Sequence, residues 1–508
     1  MVGVPGKSKG CITCKKRRIK CDETKPTCKR CTKSGYICAG YQTALHFVNA
    51  STAPFQSHIP TSSSSSSSAI PYLHNQALPV KVAPRIRTIS IPSGISLVAF
   101  QSDVCISYML HNFVWRTFGV GWLESAAAKK LDETSAQAVG ALSRIFFGIE
   151  HQLEDVQLKG SVQYGKALSL LRPALEDIRK PGIENLIVPI LIMLMHASYE
   201  EDQTAAVAHL KGLIMLLHIA GPTRFQKDPV KKAFESARAP LAISHLIARQ
   251  PLFLSQPQWK TVPWALDPPS KNQQNLLTDI LVNIPGYLAE DLKLQQHNDA
   301  IANNALLEKV KESLYTLYCW RYTWEILFPN AAWETIPIVE AAKPRVVPRK
   351  LHFATHERAA DILLYNAIHM WLIGLILRLD YNPFPLLTLS ATAHSAALAT
   401  SFATTSPYNP LHLPTSVHSL RDPAIEICRA FEFQMEKPES NRDSNVFFLF
   451  PLGIAWPVLE EEADFRDWMR DMLDKTSVTS GYAIGRNKWF GKYYLPKVMG
   501  RGRVDVVL

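Results

Sequence analysis

From Leu97 onward, apolar residues recur at intervals of three and four, the period of helices that bury one stripe. The clearest stretches are LSRIFFGIEHQL (142–153), YGKALSLLRPAL (164–175), HLKGLIMLLHIAG (209–221), KVKESLYTLYCWRYTWEILF (309–328) and ERAADILLYNAIHMWLIGLILRL (357–379). Regular alternating runs are absent, so 95–508 reads as an all-helical region long enough for one large domain or two modest ones. Leu186–Ala197 is the most apolar stretch, but Pro189 interrupts it and it falls short of the roughly 20 residues of a membrane span, so it reads as a buried helix and no membrane partner is expected. A Ser/Thr/Ala/Pro-rich stretch over 383–417 predicts a mobile insertion that interrupts the helices. In EEEADFRDWMRDMLDK (460–475), positions 465, 468, 469, 472 and 473 fall on one helical face. The composition is also that of an acidic activation segment, but Arg466 and Arg470 dilute the acid and a structural helix is the expectation.

The periodicity stops before residue 95. Residues 41–94 carry little charge, several prolines and seven consecutive serines, Ser62–Ser68, which together cannot bury enough apolar area to offset ordering entropy. The segment reads as a disordered linker, and no apolar heptad marks a dimerising coiled coil within it. Near its end RIRTIS (85–90) places two arginines ahead of Ser90, a pattern that basophilic kinases accept but one that recurs by chance.

Residues 1–40 are different again. Six of the nine cysteines lie between Cys11 and Cys38, and the other three, Cys105, Cys319 and Cys428, are scattered singly through apolar sequence as small hydrophobes. MVGVPGKSKG has no apolar core of a signal peptide, so a reducing compartment is expected and metal binding is a better reading than disulfides. Cys11-x2-Cys14-x6-Cys21 is followed after six residues by Cys28-x2-Cys31-x6-Cys38, one half-motif written twice. Two separate tetrahedral zinc sites need eight ligands; six cysteines are present, so two ions bind only if sulfurs are shared.

Charge adds to this. Residues 1–40 hold eleven Lys and Arg against Asp22 and Glu23, a balance of +9 in a chain whose net charge is +11. Six thiolates and two zinc ions still leave the module at +7. That density is the footprint of a nucleic-acid binder whose affinity falls steeply with salt. The run Lys15–Lys20 has no Gly or Pro and predicts a short helix held by metal, and it doubles as a nuclear import signal.

With a basic run after the second cysteine and Pro26 in the central loop, the first forty residues resemble the fungal binuclear zinc cluster (Zn2Cys6) family of transcription factors. The resemblance implies that Cys11 and Cys28 bridge two zinc ions, that Cys14 and Cys21 complete one site, and that Cys31 and Cys38 complete the other. It implies double-stranded DNA as partner, with a helix in the major groove. Arg17 and Arg18 would meet a CGG-type triplet, while Lys20, Lys29 and Arg30 hold phosphates, and Lys15 is a further DNA-binding residue. For Lys16, Lys25 and Lys33 phosphate contact or plain solvation is the expectation. HLKGLIMLLHIAGP (209–222), RQPLFLSQPQWKTVPW (249–264) and FPLGIAWPVLE (450–460) are similar to phrases of the fungal-specific transcription factor helical domain that accompanies such clusters. The implied whole is a small metal-stabilised module, 1–40, joined by a disordered linker, 41–94, to a large all-α regulatory domain, 95–508. It would act in the nucleus as a sequence-specific regulator of RNA polymerase II genes, with co-regulators as further partners, and its DNA-binding module would be monomeric.

No phosphate-cradling glycine loop, H-E-x-x-H or G-x-S-x-G elbow occurs, and no enzyme is expected. His196, His209 and His369 sit in apolar helices and read as core. A ligand pocket lined by Trp320, Trp324 and Trp371 would make the helical region an effector sensor, although aromatics at helical spacing more often form plain core. The competing reading is an enzyme or effector-binding protein that the cluster tethers to chromatin.

Overall fold

The computed structural model describes residues 10–24, 27–39, 100–112, 120–176, 182–200, 202–297, 299–336, 345–380, 384–400, 409–435 and 449–474. The linker 41–94 with its serine run and Ser90, the loop residues Lys25 and Pro26, and 401–408 of the Ser/Thr/Ala/Pro-rich stretch lie outside them. The chain divides into two compact units, Met1–Ser90 and Ile91–Leu508.

The first unit contains two five-residue helices, α1 (Ile12–Lys16) and α2 (Lys29–Lys33). Such helices are too short to stand alone in water, and their buried residues are cysteines. The basic run predicts a helix over 15–20, but α1 ends at Lys16 with Arg17 as its C-cap, because Arg18 takes a left-handed conformation at φ +53°. The turn brings the chain back so that Cys21 joins Cys11, whose N–H donates to the Cys21 sulfur at 3.3 Å.

The second unit is helical. Its N-terminal part comprises α3 (Gln101–Asn112), α4 (Val120–Ala127), α5 (Glu133–Glu150), α6 (Glu154–Glu176), α7 (Ile187–Tyr199), α8 (Gln203–Ala220) and α9 (Val230–Ala248). There follow α10 (Pro257–Thr261), α11 (Gln273–Leu281), α12 (Ile284–Leu294) and the long α13 (Ala300–Leu327). Side chains of the expected polar type cap several of these: Asp132 accepts the Ser135 N–H at 2.8 Å before α5, Asp202 the Ala205 N–H at 3.0 Å before α8, and Asn272 the Asn275 N–H at 2.9 Å before α11. After α13 come two short antiparallel strands, β1 (Ala332–Thr335) and β2 (Lys350–Phe353), with Ala332 opposite Phe353. The sequence pattern does not predict this pair. The chain continues through α14 (His356–Leu379), α15 (Phe384–Thr400), α16 (Arg421–Met435), α17 (Leu449–Leu459) and α18 (Ala463–Asp474).

The core centres on α14, which is buried on every side from Ala359 to Ile376 and packs against α11, α13, α16 and α17. Its length and a mean hydropathy of 1.7 over an 18-residue window suffice to cross a membrane, but 83% of that window is buried inside the fold, as in the core helix of a large helical domain. Trp320, Trp324 and Trp371 belong to this core, with Trp320 stacked on Tyr365 at 5.7 Å and the Trp324 indole N–H donating to Asp361 at 3.0 Å. Over the expected insertion, Phe384–Thr400 is helix α15 instead; it packs on α13, with His394 stacked on Tyr322 at 4.9 Å. Its alanines sustain a helix that the Ser/Thr content conceals. The amphipathic 460–475 segment is the packed helix α18, which buries Phe465, Met469 and Met472.

Candidate metal centre and nucleic-acid interface

Cys11 is the N-cap of α1 and Cys28 the N-cap of α2, so each half begins with a thiol at the positive end of a helix. Cys14 and Cys31 follow one turn later on the same inner faces. The two halves repeat with an offset of 17 residues in their backbone bonds as well as their sequence. The Cys11 N–H donates to the Cys21 sulfur and the Cys28 N–H to the Cys38 sulfur, each at 3.3 Å. Both helices also close with the same left-handed motif. In the first, Arg18 N–H donates to the Lys15 carbonyl and Ile19 N–H to that of Cys14, both at 3.1 Å; in the second, Gly35 N–H donates to Thr32 at 3.3 Å and Tyr36 N–H to Cys31 at 3.0 Å. Gly35 occupies its left-handed position, φ +70°, without a Cβ, whereas the equivalent position in the first half is Arg18.

The repeat gathers the sulfurs. Those of Cys11, Cys14, Cys21 and Cys28 lie within 4.8 Å of one another, as do those of Cys11, Cys31 and Cys38. A tetrahedral zinc ion with Zn–S distances of about 2.3 Å sets its sulfurs about 3.8 Å apart. The Cys14–Cys28 and Cys11–Cys31 separations are 3.6 and 3.7 Å, and Cys14 also approaches Cys31 to 3.7 Å. All six cysteines are free thiols. Burial pushes the Cys11 thiol up to about 12 and Cys14 higher still, so without a cation these groups keep their protons. A bound cation reverses that preference, because only thiolates ligate. The donor set, its spacing and its sharing of Cys11 between two groups fit two zinc ions.

This geometry coincides with a match of residues 9–46 to the family model of the fungal Zn(2)-Cys(6) binuclear cluster domain. The N-terminal module is a Zn2Cys6 domain. Relatives share it at high identity over short spans: White-opaque regulator 2 of Candida albicans is 67% identical over 33 residues, 6% of this chain and 7% of that protein. Transcriptional regulatory protein moc3 of Schizosaccharomyces pombe is 66% identical over 32 residues, 6% of each chain. The aspercryptin biosynthesis cluster-specific transcription regulator atnN of Emericella nidulans is 56% identical over 39 residues, 8% of this chain and 6% of that one. The chain thus matches less than a tenth of the length of these three relatives. No solved structure matches the chain.

On the Zn2Cys6 domain the basic side chains Lys15, Lys16, Arg18, Lys20, Lys29, Arg30 and Lys33 are exposed, while Arg17 is half-buried. The Arg17 guanidinium lies over the Tyr36 ring, 3.8 Å from its centroid, and its Nη1 is buried without a hydrogen-bond partner. Arg17 is therefore tied to the second half of the repeat, unlike its neighbour Arg18.

Three further residues shape the domain, and sequence reasoning passed over them. The Thr13 hydroxyl donates to the Ile37 carbonyl at 3.1 Å and accepts the Ala39 N–H at 2.9 Å, which pins both sides of Cys38 to α1. Asp22 accepts the Arg30 N–H at 2.8 Å, the Thr24 N–H at 3.1 Å and the Thr24 hydroxyl at 2.8 Å, and Thr24 in turn accepts the Lys29 N–H at 3.1 Å. Burial works against the Asp22 charge, but these donors outweigh it and hold the carboxyl at about 2. Asp22 and Thr24 together cap the exposed start of α2. The available signal was the spacing of an Asx/Thr pair before a short helix.

Proposed function

We propose that this chain is a nuclear, sequence-specific DNA-binding regulator of RNA polymerase II transcription that reads a CGG-type triplet through its Zn2Cys6 domain. The observation carrying the reading is the exposed row Lys15, Lys16, Arg18 and Lys20, in and just beyond the last turn of a helix fixed by clustered cysteines, in a module that holds most of the chain's excess charge. Cys11 and Cys28 bridge the two ions, Cys14 and Cys21 complete one site, and Cys31 and Cys38 complete the other. Arg18 offers its guanidinium fork to guanine O6 and N7. Arg17, stacked on Tyr36, backs it; Lys15, Lys20, Lys29 and Arg30 hold phosphates. The relatives' names, all of regulators and two of them of transcription, support the same direction. The linker 41–94 joins this module to a regulatory body, 95–508, that carries no catalytic function.

The test is a randomised-site selection with full-length protein, followed by salt titration of the selected duplex. Enrichment of a CGG-type triplet, lost on chelation, with a steep fall of affinity with salt is expected. Enrichment of no sequence, or binding that survives complete zinc removal, overturns the reading.

A further inference from the structure

In the helical body, cations gather without matching carboxylates beside the short helix α10. Arg238 on α9 is fully buried; its Nη1 donates to the Asn275 side-chain oxygen at 3.1 Å, its Nη2 pairs with Asp279, and its Nε is buried with no hydrogen-bond partner. Lys271, with 15% of its side chain exposed, pairs with the same Asp279 and donates to the Lys260 carbonyl at 2.6 Å. Half-buried Lys260 donates to the Asn283 side chain at 2.7 Å, and buried Lys231 reaches the Ser270 hydroxyl. Three cations thus share Asp279: Arg238 and Lys271 pair with it directly, and Lys260 lies within its electrostatic reach. The other buried carboxylate nearby, Glu235, is occupied by Lys232 and by the Trp264 indole N–H, each at 2.9 Å, and Asp267 is exposed.

Buried charges are ordinarily paired, and an excess of desolvated cations calls for an anion. Desolvation lowers the proton affinity of both Lys260 and Lys271; Asp279 opposes this, and Arg238 adds to it by repulsion. Beside these residues lies a groove of about 360 Å³, and Lys260, Val262, Trp264, Pro268 and Lys271 contribute to its lining. Its walls are mostly apolar, and the Trp264 ring already carries Lys271 at 4.6 Å and Arg238 at 4.9 Å. An apolar ligand body fits the walls and an anionic head fits the amines.

We propose that this groove is a binding site for a small organic carboxylate, its carboxylate held between Lys260 and Lys271 and its apolar body laid against Val262, Trp264 and Pro268. The inference does not depend on the DNA reading. The ligand neutralises charge that the fold leaves unbalanced, so it stabilises the body that binds it.

The experiment follows thermal unfolding and calorimetry of full-length protein with phenylacetate, its neutral analogue phenylacetamide, and inorganic phosphate. Phenylacetate is expected to raise the unfolding temperature in a saturable way, and phenylacetamide is expected to leave it unchanged. Lys260→Ala should weaken phenylacetate binding at least 10-fold while the unliganded protein unfolds at the same or a higher temperature, because one of several repelling charges is gone. Lys260→Gln, which keeps a donor for Asn283, should behave likewise and guards against a defect of folding in the alanine variant. Equal effects of acid and amide, a response to phosphate alone, no saturable response to phenylacetate, or full binding by both Lys260 variants would overturn the proposal.

Discussion

Arg18 sits where the duplicate half uses glycine. A non-glycine residue in the left-handed region costs about 1 kcal/mol, and such strain persists where the side chain is needed. Arg18→Gly should therefore keep both zinc ions, leave the module as stable or more stable by up to about 1 kcal/mol, and lose about 1–3 kcal/mol of triplet discrimination. Native mass spectrometry of the zinc content, with selection from randomised sites, checks both halves of this expectation; unchanged sequence preference would remove Arg18 from the base edge. Tyr36 has a separate role, since its ring immobilises the Arg17 guanidinium at 3.8 Å. Tyr36→Phe keeps the ring and should bind DNA as the parent does, whereas Tyr36→Leu, apolar without a π face, should weaken binding several-fold at unchanged zinc content. Equal affinities of the two variants in band-shift titrations would show that the stack is incidental. The cysteine register and the basic run were legible because the spacing that metal demands is local. Thr13, Asp22 and Tyr36 were not, because each acts on a partner 8 to 26 residues away that only the folded repeat brings near.

Among the elements, α14 combines two buried ionisable groups that pull stability in opposite directions. Burial pushes Asp361 up to about 7, against the help of Arg358 and the Trp324 indole, and pushes His369, beside Tyr318 and Tyr365, down to about 3. The folded state holds the Asp361 proton more tightly than the unfolded chain, so that contribution is present below about 4 and is lost as pH rises to about 7. The folded state rejects a proton on His369, so its contribution is present above about 6.5 and is lost as pH falls to about 3. Between about pH 4 and 6.5 the two slopes oppose each other. Asp361→Asn should make stability rise more steeply with pH across that window, and His369→Gln should make it fall; urea midpoints at about pH 5 and 7 read the difference. Parallel pH profiles of the parent and both variants would contradict it. The long helices were legible from their 3.6-residue period, α14 included, since a helix apolar on all sides declares its central place. The short strands β1 and β2 were not, because four residues apiece carry too little alternation and the pairing joins segments separated by 14 residues. Helix α15 was obscured by serine and threonine, which composition associates with loops although its side of α13 needs a small-residue partner such as buried Ala393.

Over the whole molecule, the metal module and the helical body have separate cores: the first is a cluster of cysteines, the second a continuous apolar interior. Zinc removal should therefore unfold only the module, abolishing DNA binding while the far-ultraviolet helical signal and the thermal transition of the body persist; a body that melts with the metal would contradict this. The same separation bears on how the proposed DNA reading would extend to two triplets. Half-site spacing in zinc-cluster proteins is fixed by whatever rigid element joins two modules close to the DNA. The sequence after Cys38 holds no apolar heptad, only a Ser/Pro-rich stretch of about fifty residues whose composition imposes no fixed distance. Any pairing of two copies must then come from the helical body and act by raising effective concentration, which falls only slowly with separation for a long tether. Full-length protein should accordingly bind probes carrying two CGG-type triplets with affinities that agree within a few-fold across a range of separations, and single-triplet probes weakly and with strong salt dependence. Band-shift titrations across a spacing series measure this directly; a sharp optimum at one separation would require a rigid dimerisation element between the metal module and the helical body.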